Sequence, residues 1–295
     1  MIKQSENQRS KVVFLGSGRY VLPILEILNR NFNITVALTT EKDKDRSVSN
    51  FCKKNNIFFL FIHKFNNEAI SAIKQSDAEI GILANFGIIV PANILNLFPF
   101  GIVNVHPSLL PKYRGSTPVQ TAILNGDKTT GVTLIKLDNE VDHGPILAQK
   151  SEPILPDDTA ESLYKKLFKI GADLIRENLK KYLDGQIKPK EQDHSKATFT
   201  KILAKNDGYF DINKSLSADT LNRMIRAYHS WPGVWFKYHS ERSEESRLQN
   251  KILKLLPENK IQVEGKKPMS YEDFINGYPQ GKNILEKLGL IKTNC

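Results

Sequence analysis

Residues 101–118 read GIVNVHPSLLPKYRGSTP, and this segment holds the residue pairing best suited to chemistry. Side chains alternate faces along a strand, so Asn104 and His106 project together while Val103 and Val105 point the other way. Pro107 has no N–H for a ladder and ends the strand. A carboxamide and an imidazole side by side can stabilise an oxyanion or move a proton. Buried, they need partners, and a core Asn and His that satisfy each other is the plain alternative. A second patch, Asp138-Asn139-Glu140-Val141-Asp142-His143-Gly144, follows the apolar run Gly131–Leu137 and so sits at a strand end. Its carboxylates repel one another unless solvated or matched to a cation. One of them can orient His106 and tune its proton affinity; an acidic surface turn is the alternative. A metal reading with His106, Asp142 and His143 lacks a recognised ligand spacing, so no metal is expected.

The elements that must position these residues follow from periodicity. Short apolar runs at Lys11–Leu15, Ile34–Leu38, Ile57–Phe61, Glu79–Leu83 and Gly101–Val105 predict strands. Helical spacing at Tyr20–Arg30, Ser47–Asn55 and Asn67–Gln75 separates them. Such alternation predicts a parallel, doubly wound sheet of Rossmann-like α/β class. Open sheets of this kind place ligands at the carboxyl ends of their strands, where Asn104 and His106 fall. Gly131–Leu137 and Pro145–Lys150 add a pair of later strands, readable as antiparallel. Gly16-Ser17-Gly18 connects a strand to a helix, but Val21 stands where a dinucleotide fingerprint needs its third glycine, so a nicotinamide cofactor is not expected. Pro156-Asp157-Asp158-Thr159 opens a long helix with Asp158 or Thr159 as cap, and Gly185 stops it. The polar run Lys188–Lys196 reads as a linker, Ala218–Tyr228 as a helix, and Ser240–Asn250 as an exposed loop.

Composition bounds the rest. The 295 residues carry 42 Lys+Arg against 32 Asp+Glu, a formal net charge of +10, with 40% hydrophobic residues. That excludes a disordered or collagen-like chain. No run approaches a membrane span, and the polar start MIKQSENQRSK carries no secretory signal, so a cytoplasmic protein is expected. Two cysteines, Cys52 and Cys295, make no disulfide framework. The positive excess is spread along the chain, which suits a phosphate polyanion or simple solubility.

Asn104–Pro111, Tyr113-Arg114-Gly115, Gly131-Val132-Thr133 and Asp138–Gly144 together resemble the folate-dependent formyltransferase family over roughly residues 11–185. The resemblance implies 10-formyltetrahydrofolate as donor, an amine as acceptor and a catalytic trio of Asn104, His106 and Asp142. It implies folate contacts along Ser108, Leu109, Leu110 and Pro111, at Asn85, Phe86, Gly87 and Ile88, and at Asp138. Three later segments, Leu216–Leu221 with Ile225–Tyr228, Trp231–Trp235, and Gly265–Phe274, resemble the branch of that family that formylates initiator methionyl-tRNA. On that reading Arg114, Arg223, Arg226, Lys266 and Lys267 bind substrate, the latter four, with Lys237, through tRNA phosphates. Trp231 and Trp235 read as core packing or as base-stacking platforms.

Two departures from the branch stand out. Thr39–Ser47 alternates charge sign and has no glycine where relatives carry a basic, Gly-rich insertion. The stretch between Trp235 and Lys266 is too short for a five-stranded barrel. The expected organisation is therefore a catalytic domain over 1–187, a linker over 188–210 and a reduced, β-rich tRNA-binding domain over 211–295, working as a monomer. An amino-sugar nucleotide N-formyltransferase and a non-catalytic RNA-binding relative are the alternatives.

Overall fold

The computed structural model describes residues 9–41, 46–214, 216–238, 248 and 250–292. Most of the Ser240–Asn250 loop, residues 42–45 of the Thr39–Ser47 segment, the first eight residues and Cys295 lie outside the described residues. The chain forms two compact units. The first comprises Met1–Pro118, Thr129–Pro153 and Tyr164–Thr200; the second comprises Val119–Lys128, Ile154–Leu163 and Lys201–Cys295.

The first unit is built on β1 (Lys11–Gly16), α1 (Leu22–Asn31), β2 (Asn33–Thr39), α2 (Ser47–Lys54), β3 (Phe59–Phe61), α3 (Asn67–Ser76), β4 (Ile80–Ala84), the short α4 (Ala92–Leu95) and β5 (Ile102–His106). After α5 (Pro118–Asn125), which from Val119 on belongs to the second unit, come β6 (Thr129–Lys136), β7 (Ile146–Pro153) and the long α6 (Ala160–Leu183), which belongs to the first unit from Tyr164 on. The seven strands form one sheet in the order β3-β2-β1-β4-β5-β6-β7. The first five are mutually parallel; β6 runs antiparallel to both β5 and β7. Val12, Val13, Phe14 and Leu15 of β1 are all fully buried, as a central strand covered on both faces requires. Pro23 falls in the first turn of α1, where its missing N–H costs nothing. Thr159 Oγ1 accepts from Ser162 N at 3.2 Å at the start of α6, and Gly185 follows its end at φ 72°.

Strand order reverses between β1 and β4, and the loops after them are tied together. Ser17 is buried, its Oγ lies 2.9 Å from Thr40 Oγ1, and its carbonyl accepts from Asn85 Nδ2 at 2.9 Å. The two faces of β5 differ. Gly171 of α6 lets the helix close on Val105, where a Cβ would meet Val105 Cγ1 at 2.5 Å. Asn104 and His106 project from the other face.

The second unit holds α7 (Ala218–Ala227), capped by Ser217, whose side chain accepts from Thr220 N. It continues through β8 (Val234–Lys237), β9 (Ile252–Leu256), β10 (Lys260–Val263), β11 (Met269–Ser270), α8 (Tyr271–Gly277) and α9 (Gly281–Lys287). The strands form a separate four-stranded antiparallel sheet, β11-β10-β9-β8, the small β-rich module expected of so short a segment. Among the described residues, no helix is long and apolar enough to cross a membrane.

Candidate active site

Asn104, His106 and Asp142 meet. Asn104 and His106, 7% and 4% exposed, close the carboxyl half of β5. Asp142 Oδ1 accepts from Asn104 Nδ2 at 3.1 Å, and its Oδ2 accepts from Gly115 N at 2.8 Å. The same Oδ2 lies 3.4 Å from His106 Nδ1, an approach that becomes a charge-assisted hydrogen bond once Nδ1 carries a proton. His106 Nε2 donates to the Tyr113 carbonyl at 3.0 Å, because a carbonyl can only accept. Asn104 Nδ2 carries two hydrogens, and Asp142 takes one of them.

The acidic patch does not reach this place by lying at the same sheet end as His106. Because β6 is antiparallel, its carboxyl end pairs Lys136 with Val103, at the start of β5. The turn then doubles back over the face of β5 that carries Asn104 and His106. Asp142 takes a left-handed conformation there, φ 50°, and Gly144 packs so closely that a Cβ would sit 1.9 Å from the Lys136 carbonyl.

The loop after β5 is held from beneath by Thr133 of β6, which is fully buried. Its Oγ1 donates to the Ser108 carbonyl at 2.6 Å and accepts from Leu110 N at 3.1 Å and Gln149 Nε2 at 2.8 Å. Ser108 is fully buried and its own Oγ donates to the Lys112 carbonyl at 2.6 Å. Leu109 lies against Gly131, Leu110 is buried, and the Pro111 carbonyl accepts from Thr198 N at 3.2 Å. Of the predicted folate residues, Ser108 and Leu110 thus offer shape, since their main-chain N–H and carbonyl groups are bonded within the loop's own frame.

In the loop after β4, Asn85 and Gly87 both take left-handed backbone, φ 50° and 74°. Phe86 is buried against Phe65, while Ile89 is 82% exposed. A Cβ on Gly87 would meet nothing within 4 Å, so this backbone faces open space. An apolar loop with open main-chain groups fits the amide edge of a flat heterocycle. Asp138 instead spends its carboxylate on its own turn: Oδ1 accepts from Glu140 N at 3.0 Å, and Oδ2 from His143 Nδ1 at 2.7 Å.

Arg114 is not a surface cation. It is 4% exposed, and its Nη2 donates to Gln192 Oε1 and to His194 Nδ1, both at 2.8 Å. His194 stacks flat on His143 at 4.0 Å. These partners come from the polar run read as a linker, which instead packs on the site. Arg223 and Arg226 are also engaged internally, Arg223 with Asp219 and Arg226 with Asn222 Oδ1 and the Asp158 carbonyl, each of the latter at 2.9 Å. Burial pushes the Arg226 guanidinium below its usual range. Lys266 and Lys267 are exposed, on the connection between β10 and β11. Trp235 packs on Tyr209, and Trp231 is 56% exposed. Among the described residues, no group of His, Cys, Asp and Glu is placed to hold a metal ion.

The doubly wound sheet thus carries a buried Asn–His–Asp cluster on one face of β5. Residues 10–179 match the family model described as formyl transferase, and the chain belongs to that family. Within it, the chain is 38% identical over 235 residues to a methionyl-tRNA formyltransferase of Roseiflexus castenholzii, covering 76% of this chain and 74% of the relative. The methionyl-tRNA formyltransferase of Koribacter versatilis is 34% identical over 314 residues, covering 96% and 99%. Among solved structures, the methionyl-tRNA formyltransferase from Clostridium thermocellum superposes with a TM-score of 0.57 at 17% identity, covering 88% of this chain and 99% of that one.

Proposed function

We propose that this protein transfers the formyl group of 10-formyltetrahydrofolate to the amino group of initiator methionyl-tRNA. The observation that carries the reading is the buried Asn104–His106–Asp142 cluster in a chain that aligns with the methionyl-tRNA formyltransferase of Koribacter versatilis over 96% of its length. The donor supplies an activated formyl carbon. The acceptor amine attacks that carbon, a tetrahedral centre forms, and the bond to N10 breaks. The proton lost by the amine goes to N10, so the reaction is proton-neutral.

The residues divide that work. The second Nδ2 hydrogen of Asn104 meets the formyl oxygen as negative charge builds on it. His106 Nε2–H becomes shared between the Tyr113 carbonyl and the same oxygen. Each such donor is worth about 2.7–4 kcal/mol when aimed at an oxyanion. Asp142 holds Asn104 by a hydrogen bond and faces His106 Nδ1, which keeps both donors aimed at the formyl oxygen. The donor's heterocycle lies along Asn85–Ile88 and the 138–142 turn, with Ser108–Pro111 as a wall. We assign catalysis to the region 1–187 and tRNA contact to the region 211–295, where Lys266 and Lys267 are exposed.

The test is transfer of labelled formyl from 10-formyltetrahydrofolate to charged initiator tRNA by purified protein. Transfer at turnover rates supports the reading. No transfer, with formylation of an amino-sugar nucleotide instead, overturns the acceptor. An unchanged rate in His106→Ala overturns the site.

A further inference from the structure

One buried side chain outside the trio has its whole hydrogen-bonding capacity spent on the frame of the site. Gln192 is 5% exposed. Its Nε2 donates to the Asp142 carbonyl at 2.9 Å and to the Gly144 carbonyl at 2.7 Å. Its Oε1 accepts from Arg114 Nε at 3.2 Å and Arg114 Nη2 at 2.8 Å. Two hydrogens and two lone pairs are all that a carboxamide has, and all are used.

Arg114 is itself fixed at both ends. Its guanidinium also reaches His194, and its main chain pairs with the segment that follows: Arg114 N donates to the Thr198 carbonyl and Thr200 N to the Arg114 carbonyl, both at 2.8 Å. Asp142 sits in the left-handed region, a conformation that a residue with a side chain keeps only where its surroundings over-determine it. Gln192 grips the carbonyls on either side of His143 and so fixes that turn from the backbone. The carboxylate is thereby presented to Asn104, His106 and Gly115.

We infer that Gln192 is a positioning residue for formyl transfer: anchored by Arg114, it holds the 142–144 turn so that the Asp142 carboxylate stays on Asn104 and His106. The inference rests on the role proposed for Asp142. The chemistry of the residue is specified on both sides. A glutamate keeps the Arg114 contact but turns a carboxylate oxygen against two carbonyls. A methionine of similar shape offers neither donors nor acceptors.

The experiment uses the full-length protein and follows formyl transfer to charged initiator tRNA. It compares the parent with Gln192→Glu, Gln192→Met, Asp142→Asn and the double variant Asp142→Asn/Gln192→Glu. Each Gln192 variant is expected to lower kcat about 100-fold, the loss that a misplacement of about 1 Å produces. The KM for tRNA stays within about twofold, and the KM for the donor, whose heterocycle also borders the 138–142 turn, changes by less than about tenfold, well short of the loss in kcat. In the Asp142→Asn background, Gln192→Glu costs less than about threefold, because the group it positions is already gone. Four results overturn the inference: kcat near the parent's in both variants, a raised KM with kcat unchanged, the same fold-loss with and without the Asp142 carboxylate, or both variants failing to fold while Asp142→Asn folds normally. A parent without any formyl transfer overturns the reading beneath the inference, and the inference with it.

Discussion

Replacing Asp142 by Asn changes one atom's chemistry and forces a conflict that can be followed bond by bond. The carboxylate accepts at both oxygens, from Asn104 Nδ2 on one side and from Gly115 N on the other, with His106 Nδ1 facing the second. A carboxamide offers one oxygen. The Gly115 side holds two prospective donors, so the amide oxygen settles there and the NH2 turns toward Asn104 Nδ2. Donor then meets donor, and Asn104 must rotate, withdrawing its remaining hydrogen from the formyl oxygen. Loss of that oxyanion donor alone costs about 2.7–4 kcal/mol, roughly 10²–10³ in rate. Removing the charge beside His106 weakens a contact worth about 1.5–3 kcal/mol. The two effects share Asn104 and His106 and do not simply add, so kcat is expected to fall about 10³-fold. The donor-binding loop at Asn85–Ile88 is untouched, so donor affinity measured by calorimetry stays within about threefold. Single-turnover formylation of charged initiator tRNA separates chemistry from release. A kcat loss below about tenfold, or equal losses in kcat and donor affinity, would refute the reasoning and make Asp142 a scaffold residue.

Other outcomes follow from the same geometry. Gly144→Ala places a methyl 1.9 Å from the Lys136 carbonyl, and urea unfolding should show a loss of about 2 kcal/mol or more together with reduced turnover; an unperturbed midpoint would mean the turn can open freely. Changing Lys266 and Lys267 together to Gln should raise the KM for tRNA and reduce the salt slope by about 2, one per phosphate contact; an unchanged slope counts against that contact. Burial raises the phenols of Tyr182, Tyr228 and Tyr271, that of Tyr271 to about 12. A group whose folded pKa is raised lends stability that is whole below its unfolded value, about 10 for tyrosine, and is lost as pH rises through the folded value. The protein should therefore unfold cooperatively in alkali between about pH 10 and 12, with tyrosinate absorbance appearing alongside the loss of circular dichroism. Independent titration of all nine tyrosines near pH 10 with the fold intact would contradict the burial.

Much of the frame was legible because its signals are local. The apolar run of β1, the first-turn proline of α1 and the threonine cap of α6 each announce an element within a few residues. The pairing of Asn104 with His106 followed from strand alternation alone. What escaped the sequence depends on partners far along the chain. The antiparallel course of β6 carries the acidic patch to the start of β5, and only the doubled-back turn returns Asp142 to the site. Gln192 lies in a run with scarcely an apolar residue, so nothing in its periodicity marks it as buried; its partners stand 50 and 78 residues away. Charge was equally silent about use. Arg114 reads as a substrate ligand and Arg223 and Arg226 as phosphate ligands in the sequence, yet each guanidinium is engaged inside its own unit, whereas Lys266 and Lys267 remain exposed.

The segment holding Gln192 and Thr198–Thr200 also sets when the site comes into being. A ribosome adding about 5–20 residues per second delivers the chain from its amino end. When Leu183 closes the long helix, Asn104, His106 and Asp142 have all been made, and the central sheet has every strand it needs. The clamp on the Asp142 turn and the strand-like pairing at Arg114 are still unmade. On the roles proposed above, the nascent protein owns its reactive groups before it can aim them, and competence arrives only with residues 192–200.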